Sequence, residues 1–157
     1  MQPVRGVPLA VVGLVVVVLA VTGPFGPLSV PGEQDPGTGN ATIIVTETPG
    51  EPRLEPGRQG EGVYYLRVPD VEVEVRDLRG NPTLVYTVGI EELGYSRSSV
   101  HFLGSAGPGR HAISMDPDTF QGDRLDRDTY RASIEVVLRT EGTARELHRT
   151  ETRVVVD

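Results

Sequence analysis

Apolar and polar residues alternate along most of this chain after residue 40. In "VEVEVRD", residues 71–77, valine alternates with charged side chains, and "YRASIEVVLRT", residues 130–140, follows the same rule. Successive side chains of an extended strand point to opposite faces of a sheet. Both segments are therefore predicted to be half-buried antiparallel strands.

Further alternating segments, separated by Pro-, Gly- and Asp-containing turns, occupy residues 41–48, 61–68, 83–90, 97–103, 110–115 and 146–156. Seven to eight short strands at this spacing predict an all-β fold, an antiparallel β-sandwich. The segment "TARELHRT", residues 143–150, is the one candidate for a helical turn. The apolar run Val154 to Val156 is predicted either to complete the core or to form an exposed edge strand.

The N-terminal segment is apolar. Residues 7–28 contain no charged side chain, and Arg5 precedes them. A basic residue before an apolar run is typical of a signal sequence. The small residues needed for cleavage are only weakly supplied around Ala20, so we expect residues 1–28 to remain as one hydrophobic helix, a signal anchor. The alternative is a cleaved signal peptide.

The anchor sets the predicted organisation of the rest of the chain. With the positive charge on the short N-terminal side, residues 40–157 are expected outside the cytoplasm, on a single-pass protein of the cell membrane. Residues 29–39 are rich in Pro and Gly and are predicted to be a flexible linker. Asn40 begins an Asn-Ala-Thr triplet and is a candidate for N-glycosylation.

Composition excludes several classes of function. The net charge is −7, every basic residue is arginine, and there is no cysteine. Without a basic stripe to replace the counterions of phosphates, no nucleic-acid partner is expected. Without lysine or cysteine, the chain has no Schiff-base lysine, no thiol nucleophile and no cysteine-ligated zinc site. Ser105, in a glycine-rich segment, lacks the spacing of a nucleophile elbow. We therefore predict no enzymatic activity and no cofactor.

Two groups of residues are weak metal candidates. Five aspartates share the segment "DPDTFQGDRLDRD": Asp116, Asp118, Asp123, Asp126 and Asp128. Clustered carboxylates can bind calcium, but the spacing differs from that of the twelve-residue calcium loop, and two arginines lie among the aspartates. His101 and His111 could face each other across a predicted hairpin, whereas His148 is distant in sequence. We expect neither group to hold a metal.

The segment "LDRDTYRASIEV", residues 125–136, places a leucine and an aspartate before a tyrosine that begins an alternating strand. It resembles the tyrosine corner of immunoglobulin-like and fibronectin type III-like sandwiches. The resemblance implies that the Tyr130 hydroxyl binds a nearby backbone group and that Leu125 is its neighbour in the core. The chain lacks the cysteine pair and tryptophan of antibody domains.

The whole layout, an apolar N-terminal segment, a linker and a small sandwich, resembles envelope proteins of haloarchaea, including archaellum stator subunits. The arginine-only acidic composition also resembles that of halophilic proteins, although a GC-rich genome would produce the same bias. The expected function is a non-enzymatic interaction or structural module that binds another envelope protein. The alternative is a calcium-dependent glycan binder or hydrolase that uses the loop from Asp116 to Asp128.

Overall fold

The computed structural model describes residues 35–58 and 62–157. The predicted anchor, residues 1–28, and residues 29–34 of the predicted linker lie outside these ranges. The described residues include no helix with the length and apolar character needed to cross a bilayer.

The described residues form ten strands, one short helix and two 3₁₀ turns. The strands are β1 (Thr38–Glu47), β2 (Arg53–Pro56), β3 (Val63–Arg67), β4 (Val71–Asn81), β5 (Thr83–Ile90), β6 (Tyr95–Phe102), β7 (Gly109–Ile113), β8 (Asp118–Gln121), β9 (Thr129–Thr140) and β10 (Thr143–Val156). Helix α1 spans Leu103–Ala106, and the 3₁₀ turns span Glu91–Leu93 and Gly122–Arg124.

The strands form two sheets, which confirms the prediction of an all-β fold. One sheet has the order β1-β4-β7, and the other has the order β6-β5-β9-β10-β2-β3-β8. The pairings are antiparallel with one exception: β2 runs parallel to β10, where Val155 pairs with Arg53 and Val156 pairs with Leu54. The expectation of a wholly antiparallel arrangement was therefore wrong at this pair.

Alternate residues of both sheets meet in one hydrophobic core, as in a β-sandwich. The three-stranded sheet contributes Ala41, Ile43, Val71, Val73, Val75 and Ile113. The seven-stranded sheet contributes Leu54, Leu66, Leu84, Tyr86, Val88, Ile90, Phe120, Tyr130, Ala132, Ile134, Val136, Leu138 and Val154. Because this core contains no disulfide, apolar burial is the main favourable contribution to its stability.

Two glycines allow β1 and β4 to approach closely. Gly39 pairs with Gly80, and a Cβ atom on Gly39 would lie only 2.1 Å from the carbonyl oxygen of Arg79. Gly39 also has a φ of +86°, a region that residues with a side chain rarely adopt. A bulge follows on β4, where Asp77 has a positive φ of 51°. The start of β1 therefore depends on the absence of side chains at this pair.

Each of the eight predicted segments overlaps a strand, but β2 and β8 were not predicted. In β2 only Leu54 is buried, and Pro56 is its last residue. In β8 only Phe120 is buried, between polar residues of the acidic segment. Strands of four residues with a single buried side chain have no alternation to detect.

One expectation for the C-terminal segment was wrong, and one of the two alternatives for its apolar run was confirmed. Residues 143–150 are part of strand β10, because twelve residues of β10 pair with β9 and this long ladder outweighs the local helical spacing. Of the two alternatives for Val154 to Val156, an exposed edge strand is excluded, since β9 and β2 flank β10. Val154 is completely buried, so the apolar run at the end of β10 contributes to the core.

Candidate functional site

Strand β6 has its apolar and polar sides inverted relative to the other strands of its sheet. Ser99 and His101 lie opposite Tyr86 and Leu84 of β5, both completely buried, so the polar side of β6 points towards the interior. Val100 and Phe102 therefore point outward, where they are 49 % and 44 % exposed. A strand that only completed a core would show the opposite pattern.

The neighbouring strand β5 extends this outward surface without adding a charge. We call the combined surface the β5–β6 face. It consists of Thr83, Val85, Thr87 and Gly89 of β5 and Ser96, Ser98, Val100 and Phe102 of β6. Thr83 and Val85 are themselves buried, so the exposed part of the face is formed mainly by β6. In a chain with 24 % charged residues, these eight outward positions contain none. Depletion of charge together with exposed apolar side chains is characteristic of the centre of a binding interface.

The other half of the same sheet surface is strongly charged. Outward positions of β9 and β10 include Arg131, Glu135, Arg139, Glu146, Arg149, Glu151 and Arg153. Arg149 lies between two carboxylates, 2.6 Å from Glu135 and 2.9 Å from Glu146. Val137 of β9 lies opposite Val85 and continues the apolar row from Val100 across the sheet. The β5–β6 face is therefore bounded on one side by paired charges.

At its polar end the β5–β6 face adjoins a shallow depression of about 320 Å³. Gly89 lines it, and a Cβ atom there would lie 3.1 Å from the Ser133 hydroxyl oxygen. Glu91, Arg131 and Glu151 supply charged groups to its lining. One end of the face is thus apolar, and the other combines hydroxyl groups with a polar depression.

Side chains at the start of β6 hold this strand against the segment that contains β8. The rings of Tyr95 and Phe120 meet edge to face, with centroids 5.0 Å apart. The Tyr95 hydroxyl donates to the Asp118 carboxylate at 3.0 Å, and Arg97 pairs with the same carboxylate at 3.2 Å. Burial and the bond to Asp118 raise the pKa of Tyr95 to about 12. These contacts fix the inward side of β6 and so orient its apolar side outward.

Asp118 is the anion of this contact. Hydrogen bonds from the backbone amide of Thr119 and from Tyr95, with the charge of Arg97, lower the pKa of its carboxyl group. Each of these groups favours the ionised form of Asp118. Asp118 of β8 therefore has a structural role: it joins β8 to β6, the edge strand at the opposite side of the seven-stranded sheet.

The structure does not gather the five aspartates of the predicted acidic loop into a metal site. Asp118 begins strand β8, and Asp126 accepts a hydrogen bond from Tyr130. Asp116, Asp123 and Asp128 are exposed. Among the residues that the structure describes, no group of three or more His, Asp or Glu residues could hold a metal ion.

His101 and His111 do not face each other across a hairpin, because β6 and β7 belong to different sheets. His101 Nε2 lies 2.9 Å from the carbonyl oxygen of Ser114, and His111 Nε2 donates to the carbonyl oxygen of Gly107 at 2.9 Å. Ser105 lies in helix α1, and its hydroxyl donates to the Phe102 carbonyl group at 3.0 Å. These polar side chains bind nearby backbone groups.

The Tyr130 hydroxyl group is buried beside the chain that precedes β9. It accepts hydrogen bonds from the backbone amides of Asp126 at 2.7 Å and Arg127 at 3.1 Å. It also lies 3.1 Å from the Asp126 carboxylate, to which it donates. Leu125 is half-buried and packs against the core. Tyr130 thus ties the start of β9 to the preceding turn.

Two further surface features lie away from the β5–β6 face. Asn40 is exposed on β1, and its side-chain oxygen accepts the backbone amide of Ala41 at 2.8 Å. The β2–β3 hairpin has a depression of about 420 Å³. Its lining consists of Glu55, Pro56, Arg58, Tyr65 and Arg67.

The alternating pattern of residues 97–103 predicts a strand but does not reveal the β5–β6 face. The signal was present in "YSRSSVHF", where Val100 and Phe102 alternate with polar residues. Alternation alone does not say which side of a strand is buried. That information comes from the pairing of β6 with β5, whose alternate residues are completely buried.

The chain matches no family model, no curated protein and no solved structure. Its class therefore rests on its own geometry. It is an all-β protein of two sheets around a common core, with an uncharged and partly apolar face on the larger sheet.

Proposed function

We propose that this chain is a non-enzymatic interaction or structural module of the cell envelope and that it binds its partner through the β5–β6 face. The observation that carries the proposal is the outward orientation of Val100 and Phe102 on a sheet surface without charge. Adjacent exposed apolar side chains on an uncharged part of a surface are typical of a protein interaction site.

The proposed location follows from the N-terminal segment. Residues 1–28 anchor the chain in the cell membrane as a single span, and residues 40–157 lie outside the cytoplasm. The acidic, lysine-free composition suits an environment of high salt, in which hydrated carboxylates keep the surface soluble. No nucleic acid and no cofactor take part in this function.

Two features support an immunoglobulin-like topology as part of this proposal. One sheet contains β1, β4 and β7, and the other contains β5 and the β9–β10 hairpin, a division between two sheets that is typical of this class. The Tyr130 hydroxyl also binds the backbone just before β9. Domains of this architecture commonly recognise partners through a sheet face or through their loops.

Co-purification tests the interaction. Full-length tagged chain is extracted from native membranes at native salt, and retained proteins are identified by mass spectrometry and confirmed by reciprocal purification. The test variant is Val100→Ser/Phe102→Ser. The matched control is Ile44→Ser/Tyr65→Ser, which removes the other two large, exposed hydrophobic side chains among the described residues.

We expect the first variant to lose a partner that the wild type and the control variant both retain. Equal retention by all three chains would contradict the proposed binding surface. The predicted membrane anchor is tested separately by extraction, because an anchored chain stays in the membrane fraction in carbonate and is released by detergent.

A further inference from the structure

We infer that Asn40 carries an N-linked glycan whose first sugar lies over a depression between the start of β1 and the β9–β10 turn. This modification site goes beyond the proposed function. It rests on the proposed location of residues 40–157 outside the cytoplasm, where such glycans are attached.

The acceptor triplet lies on the exposed side of strand β1. Asn40 and Thr42 are both exposed, whereas Ala41 between them is 5 % exposed and belongs to the core. The side-chain oxygen of Asn40 accepts the backbone amide of Ala41 at 2.8 Å. The side-chain nitrogen, to which a sugar is attached, has no hydrogen-bond partner among residues 35–58 and 62–157. The atom that must react is therefore left free.

The second Asn-x-Thr triplet of the chain differs in sequence and in exposure. Pro82 occupies its middle position, which excludes the triplet as an acceptor. Thr83 is 4 % exposed, whereas Thr42 is on the surface. The Asn81 side-chain oxygen accepts the backbone amide of Gly104 at 3.1 Å. Asn81 thus serves as an internal control for Asn40.

The depression next to Asn40 offers polar groups to a sugar. It has a volume of about 360 Å³, and Gly39 and Asn40 form one side of it. The lining also includes four polar side chains around the β9–β10 turn: Thr140, Glu141, Thr143 and Arg145. Within the described part of the chain, none of these four side chains makes a hydrogen bond or an ion pair. Hydroxyl, carboxylate and guanidinium groups are suitable partners for the hydroxyl groups of a sugar.

The register of β9 and β10 explains why Arg145 has no carboxylate partner. Arg145 lies opposite Leu138, a core residue, so it lies on the inner side of the seven-stranded sheet. A bulge between Glu146 and His148 then shifts the register of β10. Beyond the bulge, Arg149 lies on the outer side, where it pairs with Glu135. Arg145 is therefore available to a group attached at Asn40.

The attachment is a glycosyl transfer from a phosphorylated lipid carrier. A bond forms between Asn40 Nδ2 and C1 of the reducing-end sugar, while the bond between C1 and the phosphate oxygen breaks. That oxygen keeps the electron pair, the lipid phosphate leaves, and the amide nitrogen loses one proton to the solvent. A glycosyltransferase of the cell supplies the catalysis, and this chain supplies the acceptor.

Peptide mass spectrometry tests the modification on the full-length chain, purified from its native membrane in detergent. Cleavage after glutamate releases residues 34–47, which contain Asn40, and residues 75–91, which contain Asn81. We expect a glycan mass on the first peptide and none on the second. Asn40→Gln and Thr42→Ala should each remove the glycan. Thr42→Ser is the matched control and should keep it, because serine also completes the acceptor triplet.

Arginine-specific labelling tests the position of the first sugar. We expect phenylglyoxal to modify Arg145 more slowly in the glycosylated wild type than in Asn40→Gln or Thr42→Ala. Arg110 is the control, because it is exposed on β7 in the other sheet and should react equally in all three chains. Equal reactivity of Arg145 with and without the glycan would reject the proposed seat in the depression.

The inference is overturned if residues 34–47 of the wild type carry no glycan, or if the added mass persists in Thr42→Ala. Protease treatment of intact cells separates this failure from that of the proposed function. An unmodified Asn40 on a chain that is cleaved from outside rejects the glycan and leaves the proposed location standing. An unmodified Asn40 on a chain that is protected until the cells are lysed rejects both.

Discussion

The Tyr130 hydroxyl group makes two reciprocal contacts with Asp126: it accepts the backbone amide at 2.7 Å and donates to the carboxylate at 3.1 Å. The ring of Tyr130 is 2 % exposed and belongs to the core, whereas Asp126 is exposed. One side chain therefore connects the buried start of β9 to the polar turn before it.

We predict that Tyr130→Phe lowers the free energy of unfolding by about 1 kcal/mol, the usual net contribution of a hydrogen bond. The ring still fills the same space in the core, so the loss is limited to the hydroxyl contacts. Denaturant unfolding measures the change. Tyr65→Phe is the control, because Tyr65 is 40 % exposed and should unfold as the wild type does. Coincident curves for all three chains would argue against this structural role of the hydroxyl group.

Substitution of Gly37 and of Gly39 should distinguish the cost of a positive φ from the cost of a steric clash. Gly37 and Gly39 have similar φ angles, +80° and +86°, but a Cβ atom on Gly37 meets nothing within 4 Å. We predict that Gly37→Ala costs about 1 kcal/mol, from the positive φ alone. Gly39→Ala should cost about 1–3 kcal/mol more, because its methyl group collides with the backbone of Arg79 and Gly80. Unfolding in denaturant compares the two variants, and equal losses would exclude the close approach at Gly80.

Asp118 should make part of the stability depend on pH. Its pKa is lowered in the folded chain by Thr119, Tyr95 and Arg97, so its contribution is present above the unfolded pKa and is lost as the pH falls through the folded pKa. The side chains of Asp118 and Arg97 are 38 % and 35 % exposed, which limits the effect to between about 0.2 and 1 kcal/mol.

The measurement compares the wild type with Asp118→Asn across acidic pH. Asp118→Asn should be less stable at pH 7, and the difference should shrink as the pH falls through the lowered pKa of Asp118. Asp116→Asn is a nearby exposed control. A difference that is constant with pH would mean that the charge of Asp118 contributes nothing.

The acidic segment is expected to show no specific response to calcium. A specific site would stabilise the fold by about 2.7 kcal/mol at a hundredfold excess over Kd, which raises the melting temperature of a domain of this size by several degrees. Screening by salt follows ionic strength and treats magnesium and calcium alike. Melts at constant high ionic strength, with calcium, magnesium or chelator, should therefore coincide. A rise with calcium alone that disappears in Asp123→Asn/Asp128→Asn would support the glycan-binding alternative.

Much of the fold could be predicted because burial on one side of a strand leaves a period of two in the sequence. The segments that contain Val73 or Ile134 show this period, and each is a strand. Strands β2 and β8 could not be found in this way, because Leu54 and Phe120 are their only buried residues. The neighbours of a strand are also invisible to this pattern. The parallel pairing of β2 with β10 is a tertiary relationship.

Identification of the candidate site depended even more on tertiary structure. The apolar residues Val100 and Phe102 were visible, but they could have belonged to the core until the pairing with β5 showed which side of β6 is buried. The relation between His101 and His111 was also a tertiary one. Their proximity in sequence across a glycine-rich turn suggested a hairpin, whereas the chain passes from one sheet to the other. Local patterns identify strands, and the assembly of the sheets determines their faces.

Val100 and Val88 lie on adjacent strands but on opposite sides of the sheet. Substitutions at these two positions should therefore distinguish an effect on binding from an effect on stability. Val88 is completely buried, so Val88→Ser removes apolar contacts and buries a hydroxyl group, and it should cost about 3 kcal/mol. Val100 is 49 % exposed, so Val100→Ser should change the free energy of unfolding by less than about 0.5 kcal/mol. Under conditions in which both variants remain folded, partner binding through the β5–β6 face should weaken in Val100→Ser and persist in Val88→Ser. Denaturant unfolding measures the stability of the two variants, and co-purification measures their binding. If Val100→Ser destabilised the fold as strongly as Val88→Ser, the outward apolar residues would be serving folding, and the reason to assign them to an interface would disappear.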